Sequence, residues 1–146
     1  MIVALFEGGI SGASVGDSAA RIVHPDNGYT HLTANQIHKP LIGTGLARPI
    51  TFEHAGLSGT LLVASDGLVK YAPHPKLCEA AKGEDLDEAT KRLVDLTRLN
   101  SGSLQDDVAV VLCRRANDRR KQASAAGRRR YSLSVDGGLV EQGNDE

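Results

Sequence analysis

The sequence predicts an α+β fold in which antiparallel β-sheets pack against helices. Short segments rich in β-forming residues follow one another through the first 65 residues, and turn signals separate them. One amphipathic helical segment comes later in the chain. Strands joined by tight turns favour antiparallel pairing, and a single helix at the end favours an added layer.

The strands are predicted one by one from β-former runs and the breaks between them. A Glu7-Gly8-Gly9 break separates the first two strands, and Pro25-Asp26-Asn27-Gly28 separates the next two. Asn-Gly readily supplies the positive φ that a tight hairpin needs. Residues 33–48 are predicted as a loop with one short helical turn. The predicted strands cover residues 2–6, 10–15, 19–24, 29–32, 49–54, 60–65 and 108–112.

The helix is predicted over residues 86–99. Its apolar residues recur at spacings of three, four and three, at Leu86, Ala89, Leu93 and Leu96. This spacing lines one face of a helix. Asp85 and Glu88 occupy the positions of a capping box, which supports a start near Leu86. The polar segment 100–103 ends the helix.

Composition limits the class of protein. The chain has 146 residues and a net charge of −1, which suits one domain with a modest core and gives no bias toward nucleic acid or membrane. Cys78 and Cys113 lack metal-binding spacing, so a reduced cytoplasmic protein is expected. Residues 115–146 carry a basic run and then only acidic charge, and we predict a mostly disordered tail after a domain that covers 1–114.

Three aspartates stand at predicted strand boundaries. Asp17 precedes the strand that starts at residue 19, Asp66 follows the apolar run that ends at Ala64, and Asp106 precedes the last strand. Each aspartate alone is most simply a turn residue. Together, on neighbouring strands, they predict a site for a hard divalent cation, which prefers oxygen ligands.

The order of these motifs resembles the second half of the metal-dependent protein phosphatase 2C family. The matching segments are Gly16-Asp17-Ser18 after a hairpin, the strand that ends in Ser65-Asp66-Gly67-Leu68, and Asp106-Asp107 before an apolar strand. The match spans roughly residues 2–114, and the resemblance implies a partial phosphatase 2C-type β-sandwich.

The resemblance also implies a site and a reaction. Asp66 and Asp106 would share one Mg²⁺ or Mn²⁺ of a binuclear centre, and Asp17 would help to hold a more labile third metal. Asp107 and Gly67 would lie behind these ligands. The implied function is metal-dependent hydrolysis of phosphoserine and phosphothreonine monoesters in a phosphoprotein, as in a signalling hydrolase.

Several features of the family are not found in this sequence. It contains no Asp-Gly-His segment, and Ala19 stands where the family usually has an arginine after Gly-Asp-Ser. A second hypothesis therefore stays open: a truncated or degenerate module without catalysis, which binds a phosphoprotein or completes a partner chain at exposed sheet edges. No membrane or nucleic-acid partner is expected.

A rival motif is Gly12-Ala13-Ser14-Val15-Gly16, which fits the Gly-x-Ser-x-Gly nucleophile elbow. That elbow needs a helix directly after the serine, whereas a strand pattern follows here. We therefore interpret Ser14 as a small residue on a hairpin strand.

Overall fold

The structure is a computed structural model that describes residues 1–26 and 28–116, together with the backbone of 131–133 and 139–141. The chain divides into two compact units, Met1–Arg115 and Ala116–Glu146. In the described part of the chain, no helix is long and apolar enough to cross a membrane.

The first unit contains seven strands and three helices. The strands are β1 Ile2–Phe6, β2 Gly9–Ser14, β3 Ala19–Val23, β4 Tyr29–His31, β5 Ile50–Ala55, β6 Thr60–Ala64 and β7 Val110–Arg114. The helices are α1 Asp66–Tyr71, α2 His74–Ala81 and α3 Leu86–Asp95. In the second unit, β8 Tyr131–Leu133 pairs with β9 Leu139–Glu141. Most of the predicted tail lies outside the described residues.

The described strands of the first unit form two antiparallel sheets. The first sheet has the order β1-β2-β5, and the second has the order β4-β3-β6-β7. In the second sheet, Ala19 on β3 pairs with Ala64 on β6, and Ala64 also pairs with Val110 on β7. The turn before β3, the exit from β6 and the entry to β7 therefore lie at the same end of this sheet.

The second sheet is the middle one of three layers. On one face, Ile22 and Leu61 pack with Ile10 of the first sheet. On the other face, Val23 and Leu62 pack in a cluster with residues of the three helices, among them Leu68, Leu77 and Leu93. Both central strands are therefore covered on two sides, and every residue of β3 is buried. These layers confirm the predicted α+β class with antiparallel sheets and packed helices.

The predicted helix 86–99 is wrong at its end, because α3 stops at Asp95. The Thr97 hydroxyl donates to the Val94 carbonyl at 2.7 Å, and Arg98 forms an antiparallel bridge with Leu104. These contacts turn the backbone out of the helix. At the start of the helix the prediction is confirmed, because the Asp85 carboxylate accepts hydrogen bonds from the N–H groups of Asp87 and Glu88.

Two further differences concern short elements. The last strand covers 110–114 instead of the predicted 108–112, because residues 108 and 109 lead the chain past the end of β6. Helices α1 and α2 were not predicted. They are six and eight residues long, and the glycine and prolines within or beside them suggested turns. Pro75 is compatible with α2 because it lies in the first turn, where no helical N–H bond is lost.

Candidate functional site

Ser65 connects the two segments that carry the predicted acidic residues. Its hydroxyl donates to the Asp107 carbonyl at 3.1 Å and accepts from the Ala109 N–H at 3.0 Å. Its own N–H donates to the Ala109 carbonyl at 3.0 Å. Because Ser65 is also the residue before α1, these bonds fix the start of that helix against the segment that leads into β7.

Gly67 brings the two segments into direct contact. A Cβ atom at this position would lie 2.3 Å from the Asp107 carbonyl oxygen and 3.3 Å from the Asp106 Cβ. Only glycine allows this approach, since real Cβ atoms do not come so close to a backbone oxygen. Asp66 and Asp106 therefore lie on adjacent, mutually packed segments, and both are exposed to solvent.

Asp17 lies at the same end of the sheet but has a different partner. His38 Nδ1 donates to Asp17 Oδ1 at 2.7 Å, and both side chains are more than half exposed. The Gly16 N–H donates to the Ile37 carbonyl at 2.8 Å, which holds the two loops together. Asp17 therefore lies at the same end of the sheet as Asp66 and Asp106, but its carboxylate is bound to His38.

Sequence reasoning missed Lys70, which lies one helical turn after Asp66 on α1. Its side-chain nitrogen is 5.0 Å from the centre of the Tyr71 ring. A side-chain hydrogen bond that the Lys70 ammonium donates to Tyr71 raises the pKa of Lys70, and the negative charges of Asp106 and Asp66 raise it further. A cation is therefore already present in the field of both carboxylates. The i, i+4 spacing from Asp66 is the sequence signal that could have revealed it.

The donor set at this end of the sheet is small for a metal centre. Within the described residues, no group of three or more His, Cys, Asp and Glu side chains could hold a metal ion. Asp66 and Asp106 alone offer four carboxylate oxygens. That set suits one hydrated Mg²⁺ or Mn²⁺, because Mg²⁺ commonly keeps several waters. It does not suit a binuclear centre.

The nucleophile elbow is excluded by the fold. Ser14 is the last residue of β2, pairs with Ile50 on β5 and is 1% exposed. Its hydroxyl donates to Gln36 Oε1. No helix follows Ser14 directly, so the residue is a small buried group on a hairpin strand.

The fold is that of serine/threonine protein phosphatases, as comparison with solved structures shows. A bacterial serine phosphatase variant matches with a TM-score of 0.64 and 23% identity, over 75% of this chain and 50% of its own. The S. agalactiae serine/threonine phosphatase matches with 0.63 and 24%, over 75% and 55%. The catalytic domain of the phosphatase PstP, solved with two manganese ions, matches with 0.62 and 22%, over 75% and 55%.

The chain spans about half the length of these solved structures. At these identities the likeness establishes the fold alone. No protein-family model matches the chain, and no curated protein is similar to it in sequence.

Proposed function

We propose that this chain contributes to metal-dependent hydrolysis of phosphoserine and phosphothreonine esters in proteins. The observation that carries the proposal is the packing of the Asp66 and Asp106 segments against each other at one sheet end of a phosphatase-type fold. Asp17 and Asp107 lie at the same end, as the resemblance implies. The substrate would be a phosphoprotein, and the cofactor would be Mg²⁺ or Mn²⁺.

The chain's own residues would have separate tasks at this site. Asp66 and Asp106 would hold one hydrated cation, which when bound supplies positive charge for the phosphoryl oxygens. Ser65 and Gly67 would keep the two carboxylate segments in contact. Asp17 is paired with His38 and would have to leave this partner before it could supply a further oxygen ligand at the same sheet end. A second metal ion would need ligands other than Asp66 and Asp106, because these two carboxylates suit only one hydrated cation.

Metal binding is the first test. We expect isothermal titration calorimetry to show weak Mn²⁺ binding by the full chain, with a dissociation constant of about 10⁻⁴–10⁻³ M. Asp66→Ala should abolish measurable binding, because it removes half of the carboxylate oxygens. Asp95→Asn is the matched control. Asp95 is the last residue of α3 and forms an exposed ion pair with Arg98, so this variant should bind Mn²⁺ as the unchanged chain does. Equal binding by Asp66→Ala would contradict the site.

Catalysis is the second test. Hydrolysis of a phosphopeptide or of p-nitrophenyl phosphate should depend on Mn²⁺ and be lost in Asp66→Ala. Rates at background in excess Mn²⁺, with metal binding intact, would remove the catalytic assignment for this chain and leave a binding role.

The second candidate function is a non-catalytic module that completes a partner chain. It is favoured by two of the edge strands, β1 and β7, where Ile2, Phe6 and Val111 are 75%, 57% and 56% exposed. Unpaired edges of this kind readily accept another strand. The activity assay above separates this candidate from the first.

Lys70 offers a further check on the acidic site. Replacing it with glutamine removes a positive charge that interacts with both carboxylates, so cation binding should become tighter by about two- to fivefold. Calorimetric titration with Mn²⁺ measures the change. Lys76→Gln, an exposed lysine on α2, is the matched control. A weaker or unchanged Mn²⁺ affinity in Lys70→Gln would place the binding site elsewhere.

A further inference from the structure

Arg21 is a buried cation in the middle of the second sheet. It lies on β3, is 9% exposed, and its guanidinium is 5.3 Å from the centre of the Tyr29 ring. Among the described residues, its Nε has no hydrogen-bond partner, and no acidic side chain forms an ion pair with it. A buried polar group without a hydrogen-bond partner is costly, so the unpaired Nε of Arg21 requires an explanation beyond the contact with Tyr29.

His74, the first residue of α2, has a second buried nitrogen without a hydrogen-bond partner among the described residues and lies beside the Tyr29 ring. The two ring centres are 4.3 Å apart. His74 Nδ1 lies 3.8 Å from Cys78 Sγ, and burial raises the pKa of that thiol. In the tautomer in which Nδ1 accepts from the thiol, the ring hydrogen lies on Nε2. In the described part of the chain, this buried Nε2 has no hydrogen-bond partner.

The charges around this pair also favour an anion. The pKa of His31, the strand neighbour of Arg21, is lowered by burial and further by the guanidinium charge, so the positive potential at this point comes from Arg21 and not from His31. Lys82 adds positive potential at Cys78. The first turn of α2 contains no acidic residue, and no side chain caps the helix. A helix N-terminus favours negative charge. The cleft next to His74 has one acidic residue in its described lining, Glu79.

We propose that Arg21 and His74 form a binding site for a small tetrahedral oxyanion of the phosphate class. Such a group only accepts hydrogen bonds, so it would satisfy both donors and neutralise the guanidinium. A cleft of about 550 Å³ lined by His74, Pro75, Cys78 and Glu79 would give the anion access from the His74 side. The Tyr29 ring, whose side chain is 43% exposed, contacts both groups, so it would have to change rotamer when the anion binds. The site does not depend on the proposed function.

The test is titration of the full chain with inorganic phosphate in EDTA-containing buffer at constant ionic strength. We expect saturable binding by calorimetry and a melting temperature that rises with phosphate concentration. Arg21→Met and His74→Phe should each raise the dissociation constant for phosphate at least tenfold. Lys76→Met, on the exposed side of the same helix, should bind as the unchanged chain does.

Further arms separate this site from the acidic one and identify the anion. Asp66→Ala should keep full phosphate affinity, which makes failure here distinguishable from failure at the metal site. Sulfate should compete with phosphate, and acetate should not. Circular dichroism checks that Arg21→Met folds; if it does not, His74→Phe decides. Absence of saturable phosphate binding, equal binding by His74→Phe, or binding of acetate alone would each overturn the proposal.

Discussion

Leu93→Ala is expected to lower the free energy of unfolding by about 3–5 kcal/mol, since deletion of a buried leucine side chain leaves a cavity in addition to the lost transfer energy. Leu93 is fully buried on α3, in the cluster that joins the helices to the second sheet. A loss of this size is a large part of the 5–15 kcal/mol that is typical of a domain. Urea denaturation followed by circular dichroism measures it.

Leu99→Ala is the matched control. Leu99 is 46% exposed and lies in the turn after α3, so its truncation should cost well under about 1 kcal/mol. Equal losses for the two leucines would mean that α3 does not pack on the sheet as described.

Gly67→Ala is expected to destabilise the chain and to weaken the acidic site. Two effects oppose each other, because alanine in a helix gains about 1 kcal/mol over glycine. The added Cβ, however, would lie 2.3 Å from the Asp107 carbonyl oxygen, and overpacking of this kind costs about 1–3 kcal/mol or more. A backbone oxygen cannot swing away as a flexible side chain can, so we expect the second effect to win by roughly 1–2 kcal/mol.

Thermal unfolding and Mn²⁺ titration measure the two consequences of Gly67→Ala. The melting temperature should fall by roughly 5–10 °C, and Mn²⁺ binding should weaken because the Asp106 segment is pushed away from Asp66. Gly8→Ala is the control, since its Cβ would meet only the flexible Phe6 side chain at 3.3 Å. A stabilised Gly67→Ala variant would show that the two segments are not in contact.

Much of the fold was predictable from local patterns. The hairpins and β6 follow from β-former runs and turn residues, and the start of α3 follows from its cap. The short helices α1 and α2 were not predicted, because segments of six and eight residues are too short for their hydrophobic periodicity to distinguish a helix from a turn. The shift of the last strand arises from the Ser65 hydrogen bonds to residues 107 and 109, which are formed across more than 40 residues of sequence.

The site was predictable in its residue types and less so in its pairing. The acidic residues at the strand boundaries follow from the strand pattern, but the bond of Asp17 to His38 joins residues 21 apart and depends on how the loop folds back. Arg21 was hidden for a different reason. A charged residue on a strand is normally expected at the surface, whereas here a helix layer covers that face. The metal-binding role of the three aspartates stays a prediction.

The coverage of β3 and β6 on both faces has a consequence for local unfolding of the molecule. Backbone amides in this strand pair are shielded by the first sheet on one side and by helices on the other, so they should exchange with solvent deuterium only when the whole unit opens. Edge strands such as β1 and β4 can open locally at a much lower free energy than the unfolding of the whole unit requires. Local opening at the periphery can therefore admit a ligand or a partner strand while the central ladder stays closed.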